Sequence, residues 1–142
     1  MINTELIASK LADMEGYLGE ISVLLAEDRR ILLEDLVKLR AVERLFQLIV
    51  DTAIDINTHI IVESGFHMED DYQSTFTTLG THAVLPAEFA LKIAPSVGLR
   101  NQVVHKYGRV DIKCILDQIK KEISDYALYI KHIHNFSSRE IS

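Results

Sequence analysis

One stretch of the chain, Leu99 to Asp111, gathers the side chains best suited to phosphodiester chemistry. Asn101 directly follows Arg100, His105 comes five positions after the arginine, and Tyr107 comes two positions after the histidine. An imidazole exchanges protons near neutral pH, and a guanidinium keeps its charge and presents a planar fork to phosphate oxygens. An amide or a phenol adds hydrogen bonds that orient these groups or the substrate. The stretch therefore predicts chemistry at a phosphodiester.

RNA is the substrate class that these side chains fit. Its 2′-hydroxyl is an internal nucleophile, so cleavage needs a base, an acid and charge stabilisation, but no metal ion and no cofactor. We expect Arg100 to stabilise the phosphate and His105 to move the proton. Asn101 orients the histidine or the RNA, and Tyr107 contacts the RNA.

Helical geometry sets a condition on this site. At about 3.6 residues per turn, positions five apart point about 140° away from each other, which separates Arg100 from His105. Asn101 and His105, four apart, share a face, and so do Arg100 and Tyr107. Either the helix unwinds near His105, or a second protomer faces the first and a shared cleft collects both sides.

Apolar spacing predicts the helices that position this stretch. A first helix, capped by Thr4, carries a stripe at steps of three and four: Ile7, Leu11, Met14, Leu18, Ile21 and Leu25. A second helix begins near Asp28, runs without a break to Gly65, and is long enough to need a partner along its length.

Shorter elements follow a polar loop at Ser64 to Ser74. One helix starts at Ser74 or Thr75 and stops at Gly80, and another starts at Pro86 and runs through Ile93. The helix with the reactive stretch stops near Gly108. A last helix runs from Asp111 and ends in a frayed tail, NFSSREIS. The pattern predicts one domain, residues 1–142: an all-α, four- to five-helix antiparallel bundle.

Composition bounds the classes of function. The net charge of −6 disfavours broad electrostatic binding of nucleic acid and leaves a local basic cleft open. The single cysteine, Cys114, excludes an internal disulfide, and its apolar neighbours predict a buried, inert thiol. We expect no signal peptide, no stretch of membrane-spanning length and a cytoplasmic location.

The motif resembles the HEPN superfamily, whose hallmark is an arginine followed by four to six residues and a histidine. The fuller form RNQVVHKY resembles the HepT toxin branch, which adds a tyrosine two positions after the histidine. RAVERLFQLIVDTAIDINTHII, from Arg40 to Ile61, resembles the long second helix of that branch, and STFTTLG and LPAEFALKIAPSVG resemble its middle helices.

The resemblance implies a homodimer with the motif at its interface and a metal-independent endoribonuclease that acts as the toxin of a toxin–antitoxin pair. Arg100 and His105 would be the catalytic pair. The antitoxin would be a small nucleotidyltransferase that adds AMP to Tyr107. The added phosphate would bring negative charge and bulk to the place where the RNA phosphate must sit.

Several other polar groups have a structural explanation beside a functional one. Asp51, Asp55 and His59, at four-residue steps, are a metal set or a polar stripe, and we favour the stripe. His132 and His134 diverge on a helix, so a shared metal is disfavoured. A second hypothesis for the whole chain is a non-catalytic nucleotide-binding or scaffolding module that holds a nucleotidyltransferase.

Overall fold

The structure is a computed structural model that describes residues 1–105 and 111–141. Within these ranges it contains seven helices and no strand, which confirms the all-α class with more helices than predicted. The helices are α1 Thr4–Leu25, α2 Arg29–Glu34, α3 Leu36–Ser64, α4 Gln73–Thr81, α5 Ala87–Ile93, α6 Ser96–His105 and α7 Ile112–Ile141.

The start of α1 and the end of α3 each have a recognisable cap. Asn3 rather than Thr4 is the N-cap of α1, since its side chain accepts a hydrogen bond from the Leu6 N–H. At the end of α3, Gly65 takes the left-handed conformation with φ 73°, which confirms the predicted stop. A glycine fits there because it adopts positive φ without steric cost.

The predicted unbroken helix from Asp28 to Gly65 is wrong, because the chain breaks at Asp35. This residue is extended, with φ −109° and ψ 97°, and its carboxylate accepts a hydrogen bond from the Lys38 N–H. An aspartate cap satisfies a backbone donor at a new helix start, and the apolar periodicity gives no sign of it. The break turns α2 into a short separate helix whose Leu32 is buried.

α3 is the central helix of the bundle. It packs against α1 on one side and against α4 and α6 on another, while α7 packs against α1, α5 and α6. The buried face of α3 consists of Leu39, Val42, Phe46, Ile49, Val50, Ala53, Ile54, Ile56, Asn57, Ile60 and Ile61. Burial of this long apolar face is the main stabilising contribution to the fold.

The length and composition of α3 also correct an expectation. Among the described residues it is the one helix long and apolar enough to cross a membrane, although no stretch of that kind was expected. Half of the apolar window is buried inside the bundle. The core helix of a bundle meets the same length and composition criteria as a membrane span.

The last helix is longer than predicted. The tail that was expected to fray is helical as far as Ile141, and Phe136 and Ser137 are buried. The tail stays ordered because Phe136 joins the core, whereas an end with no buried side chain frays. At the other end of α7, Cys114 is exposed, so the prediction of a buried thiol is wrong.

The short helices lie close to their predicted places. α4 begins at Gln73, one residue before the predicted start, and ends at Thr81, one residue past Gly80. Pro86 is the N-cap of α5, which ends at Ile93 as predicted. Pro95 precedes α6, whose first residue, Ser96, is fully buried.

Candidate functional site

The part of the reactive stretch from Leu99 to His105 lies at the C-terminal end of α6. The chain is α-helical from Ser96 through His105, so no unwinding separates Arg100 from His105 within the described residues. Arg100 lies on the buried side with 13% of its side chain exposed, whereas His105 is exposed and Asn101 is half-buried. Tyr107 lies outside the described residues. Of the two arrangements considered from the sequence, unwinding before His105 is absent, and the part of the alternative that falls between His105 and Gly108 lies outside the described residues.

Arg100 is held by an aspartate of the central helix. Its Nε lies 3.1 Å from Oδ1 of Asp51, whose side chain is 40% exposed. The contact is an ion pair without the alignment of a hydrogen bond, so the solvent-shielded Nε–H has no hydrogen-bond partner. Unsatisfied buried donors are rare and often mark functional sites. The pair holds the guanidinium against α3 at a place that is partly open to solvent.

A buried tyrosine of α7, Tyr126, makes a hydrogen bond to the first residue of α6. The hydroxyl groups of Tyr126 and Ser96 lie 2.7 Å apart, and both side chains are fully buried. Burial raises the pKa of the Tyr126 phenol far above its usual value. The Ser96 hydrogen bond and the Arg100 charge lower this pKa, and the Glu122 carboxyl raises it. The phenol is therefore neutral.

A second buried network, missed in the sequence analysis, connects α7, α3 and α4. The Tyr129 hydroxyl donates to Oδ1 of Asn57 at 2.6 Å, and Nδ2 of Asn57 donates to Oγ1 of Thr75 at 3.1 Å. The Thr75 hydroxyl donates to the Tyr72 carbonyl at 2.7 Å. Buried polar groups with all partners present fix one arrangement of neighbouring helices. An asparagine between Ile56 and Ile60 of an apolar stripe was the available signal.

Each member of the polar stripe on α3 has a protein partner. Besides the ion pair of Asp51, Oδ2 of Asp55 lies 3.4 Å from Nζ of Lys10. Nε2 of His59 accepts a hydrogen bond of 3.0 Å from the Asn3 N–H. The stripe joins α3 to α1 and to α6, and no cluster of potential metal ligands occurs in the described part of the chain.

The remaining polar candidates make ordinary structural contacts. Arg40 pairs with Glu43 at 2.6 Å, three positions further along α3. The ring of His132 packs against Phe89 with a centroid separation of 4.8 Å. In the acidic loop, His67 lies 3.5 Å from Glu69.

The geometry brings one guanidinium and one imidazole to opposite flanks of the same helix. The described residues of one protomer therefore place Arg100 and His105 near each other along the chain, but do not aim them at one point. A phosphate contacted by both groups requires a cleft that reaches around α6, or a second copy of the chain that supplies one of the two groups.

The sequence from residue 14 to 133 matches the family described as Ribonuclease HepT-like. The chain belongs to this family. It is 38% identical over 94 residues to the tRNA nuclease HepT of Aphanizomenon flos-aquae, a match that covers 66% of this chain and 64% of that protein. The shared region is thus less than two thirds of that relative's length.

Two solved structures have the same fold. The tri-AMPylated Shewanella oneidensis HEPN toxin, in complex with MNT antitoxin, superposes with a TM-score of 0.84 at 20% identity and covers 92% of this chain and 97% of that one. The Bacillus subtilis cytosolic protein YutE, of unknown function, superposes with a TM-score of 0.75 at 16% identity and covers 94% and 92%. The HepT-like chain thus has the helical fold of a HEPN toxin.

Proposed function

We propose that the protein is a metal-independent endoribonuclease and the toxin of a toxin–antitoxin pair. Arg100 and His105 carry the reaction at a cleft shared by two protomers, with Asn101 and Tyr107 contacting RNA. The name of the curated relative makes tRNA the first RNA to test. A cytoplasmic location follows from such a substrate.

The observation that carries the proposal is the state of Arg100. Its guanidinium is held by Asp51 at the bundle rim, and its shielded Nε–H lacks a hydrogen-bond partner. A cation fixed in this way stabilises the extra negative charge that develops on a phosphate in the transition state. Because α6 stays helical through His105, a partner protomer is the simplest source of an imidazole at the same phosphate.

The reaction that we propose needs only these groups. One imidazole accepts the proton of the 2′-hydroxyl, whose oxygen attacks the adjacent phosphorus. The bond from phosphorus to the 5′-oxygen breaks, and the leaving oxygen takes up the proton that the imidazole had accepted. The products are a 2′,3′-cyclic phosphate and a 5′-hydroxyl end, and Arg100 neutralises the pentacoordinate phosphate between these two steps.

A nucleotidyltransferase antitoxin is the proposed partner. The same fold occurs in a toxin that carries AMP and is bound to MNT antitoxin, which supports a partner of this class. We propose that the antitoxin adds AMP to Tyr107, two positions beyond His105. An adenylate there adds negative charge and bulk beside the cleft and blocks RNA.

The test uses purified protein, EDTA and tRNA. Wild-type protein should release fragments that end in cyclic phosphate, and Arg100→Ala and His105→Ala should each lose about a hundredfold or more in rate while the helical circular dichroism is unchanged. Full activity in both variants contradicts the assignment. Intact RNA with tight binding of a nucleotidyltransferase favours the scaffolding module instead.

Mixing the two inactive variants tests the shared cleft. If the arginine of one protomer works with the histidine of the other, each mixed dimer contains one complete site. Subunit exchange in an equal mixture should then restore about a quarter of the wild-type rate, since half of the dimers are mixed and each has one working site of two. A mixture as inactive as its components would show that both groups must come from the same chain.

A further inference from the structure

A cavity of about 440 Å³ lies beside the candidate site, between the start of α4, α6 and α7. This volume falls within the range of about 300–1,000 Å³ that is typical of small-ligand pockets. Three primary amides line it, from Gln73, Gln102 and Gln118, and Lys121 and Glu122 add a cation and a carboxyl. We call it the glutamine pocket. Arg100, Asn101 and His105, the reaction groups that the structure describes, do not line it.

The glutamine pocket opens on the face of α6 that carries His105. Gly98, Gln102 and His105 lie within about 60° of one another around the helix, and Gln102 is about 4.5 Å along the axis from the histidine. A nucleotide next to a phosphate held at His105 therefore lies within reach of the pocket.

Gly98 keeps the glutamine pocket open. It lies inside α6, where glycine costs about 0.5–1 kcal/mol relative to alanine. No close approach requires it, since a Cβ built there meets nothing within 4 Å. A larger side chain at this position would enter the cavity that Gly98 lines.

Glu122 supplies an unmatched acceptor at the pocket. Its Oε2 is shielded from solvent and has no hydrogen-bond partner among the described residues. Burial and the nearby Asp125 carboxyl raise the pKa of Glu122 to about 7, and the charges of Lys121 and Lys92 lower it. Asp125 is itself paired with Lys92 at 3.2 Å. The Glu122 carboxyl therefore lacks the donor that would satisfy it.

We propose that the glutamine pocket binds one RNA base adjacent to the cut and prefers bases that carry an exocyclic amino group. RNA recognition commonly splays a base out and reads its edge by hydrogen bonds, and an amide offers the donor and acceptor that a base edge needs. The amino group of adenine, cytosine or guanine donates to Glu122, as an acidic side chain accepts from cytosine N4. Uracil carries a carbonyl oxygen in place of the amino group of cytosine, so it offers the Glu122 carboxylate no exocyclic donor. Lys121 contacts the backbone phosphate.

This inference rests on the proposed nuclease activity, so one experiment measures both. Metal-free wild-type protein cuts a pool of RNA with randomised bases, and the fragments that end in cyclic phosphate are sequenced. One position beside the cut should be depleted in uracil by about threefold to tenfold, the range expected for one hydrogen bond. Glu122→Gln should abolish this depletion, because the new amide can donate to the uracil carbonyl. Gly98→Leu, which fills the cavity, should abolish base preference at that position alone.

A matched variant distinguishes filling of the glutamine pocket from a general effect of replacing a helical glycine by leucine. Gly16→Leu makes the same change on α1, where a Cβ also meets nothing within 4 Å. It should retain the uracil depletion. If the wild type cuts RNA and all variants have the wild-type base preference, the proposed base binding by the glutamine pocket is wrong, whereas the proposed nuclease activity is supported. If wild type does not cut, both fail. If Gly98→Leu changes the oligomeric state and Glu122→Gln leaves the profile unchanged, a second copy occupies the pocket and the proposal is wrong.

Discussion

At the scale of single residues, the environment of Arg100 is more informative than its place in a motif. An arginine with 13% of its side chain exposed loses much of its hydration, and the carboxylate of Asp51 compensates for this loss. Asp55 is also an aspartate of α3, one turn after Asp51. It pairs with Lys10 instead of Arg100. The two aspartates therefore form a natural comparison for the effect of holding the guanidinium.

We predict that Asp51 positions Arg100 for catalysis. Asp51→Ala should lower kcat for tRNA cleavage by about ten- to hundredfold with little change in KM, since a displaced guanidinium no longer matches the transition state. Asp51→Glu should recover part of the loss. Asp55→Ala, which removes an exposed pair, should stay within about twofold of wild type. Equal kcat for Asp51→Ala and Asp55→Ala would exclude the positioning role.

At the scale of elements, α4 packs so closely against α5 that residue 80 has no room for a side chain. Gly80 is buried in α4, and a Cβ built there would lie 2.6 Å from Cβ of Ala90 on α5. Carbon atoms do not approach so closely, so the two helices pack together only because residue 80 lacks a side chain. The connection between them includes Ala83 in the left-handed region at φ 57°, which is uncommon for a residue with a side chain.

Gly80→Ala should therefore destabilise the fold. We expect the free energy of unfolding to fall by about 1–3 kcal/mol, as in other overpacked cores, measured by urea unfolding followed by circular dichroism. Adding Ala90→Gly removes the clashing methyl group and should return part of the stability. Gly19→Ala, in α1 with nothing within 4 Å of the new Cβ, should raise stability by about 0.5–1 kcal/mol. A stable Gly80→Ala variant would contradict the close approach.

At the scale of the whole molecule, the net negative charge of the chain favours regulation of the proposed activity by modification beside the RNA site. With a net charge of −6, the proposed nuclease would attract RNA only through a local site. One additional phosphate beside that site then has a large effect on RNA binding. Regulation by a partner enzyme that modifies the site is consistent with this balance.

Co-expression with a nucleotidyltransferase of the antitoxin class tests this regulation. Intact-mass analysis should show the chain carrying one or more AMP groups, and the modified protein should lose tRNA cleavage, because the adenylate phosphate repels the RNA backbone. Tyr107→Phe should remain unmodified and active in the same cells. AMP found on the Phe variant at the wild-type level would place the modification on another residue.

The sequence by itself predicted the features that depend on local chemistry and periodicity. The apolar spacing of α1 and α3, the stop at Gly65 and the α5 segment from Pro86 to Ile93 are present because turn, cap and amphipathic preferences act over a few residues. The family was identified from RNQVVHKY and the helices around it, because a motif in its helical context can be recognised in the sequence alone.

Only the tertiary structure decided which polar groups meet. The order of the C-terminal tail and the exposure of Cys114 depend on what packs against each segment. The pairing of Asp51 with Arg100 and the glutamine pocket join residues that are far apart in the chain. Hydrophobic periodicity records which face of a helix is buried, but it contains no information on which neighbouring helix covers that face, and the partners of buried polar side chains are set by that neighbour.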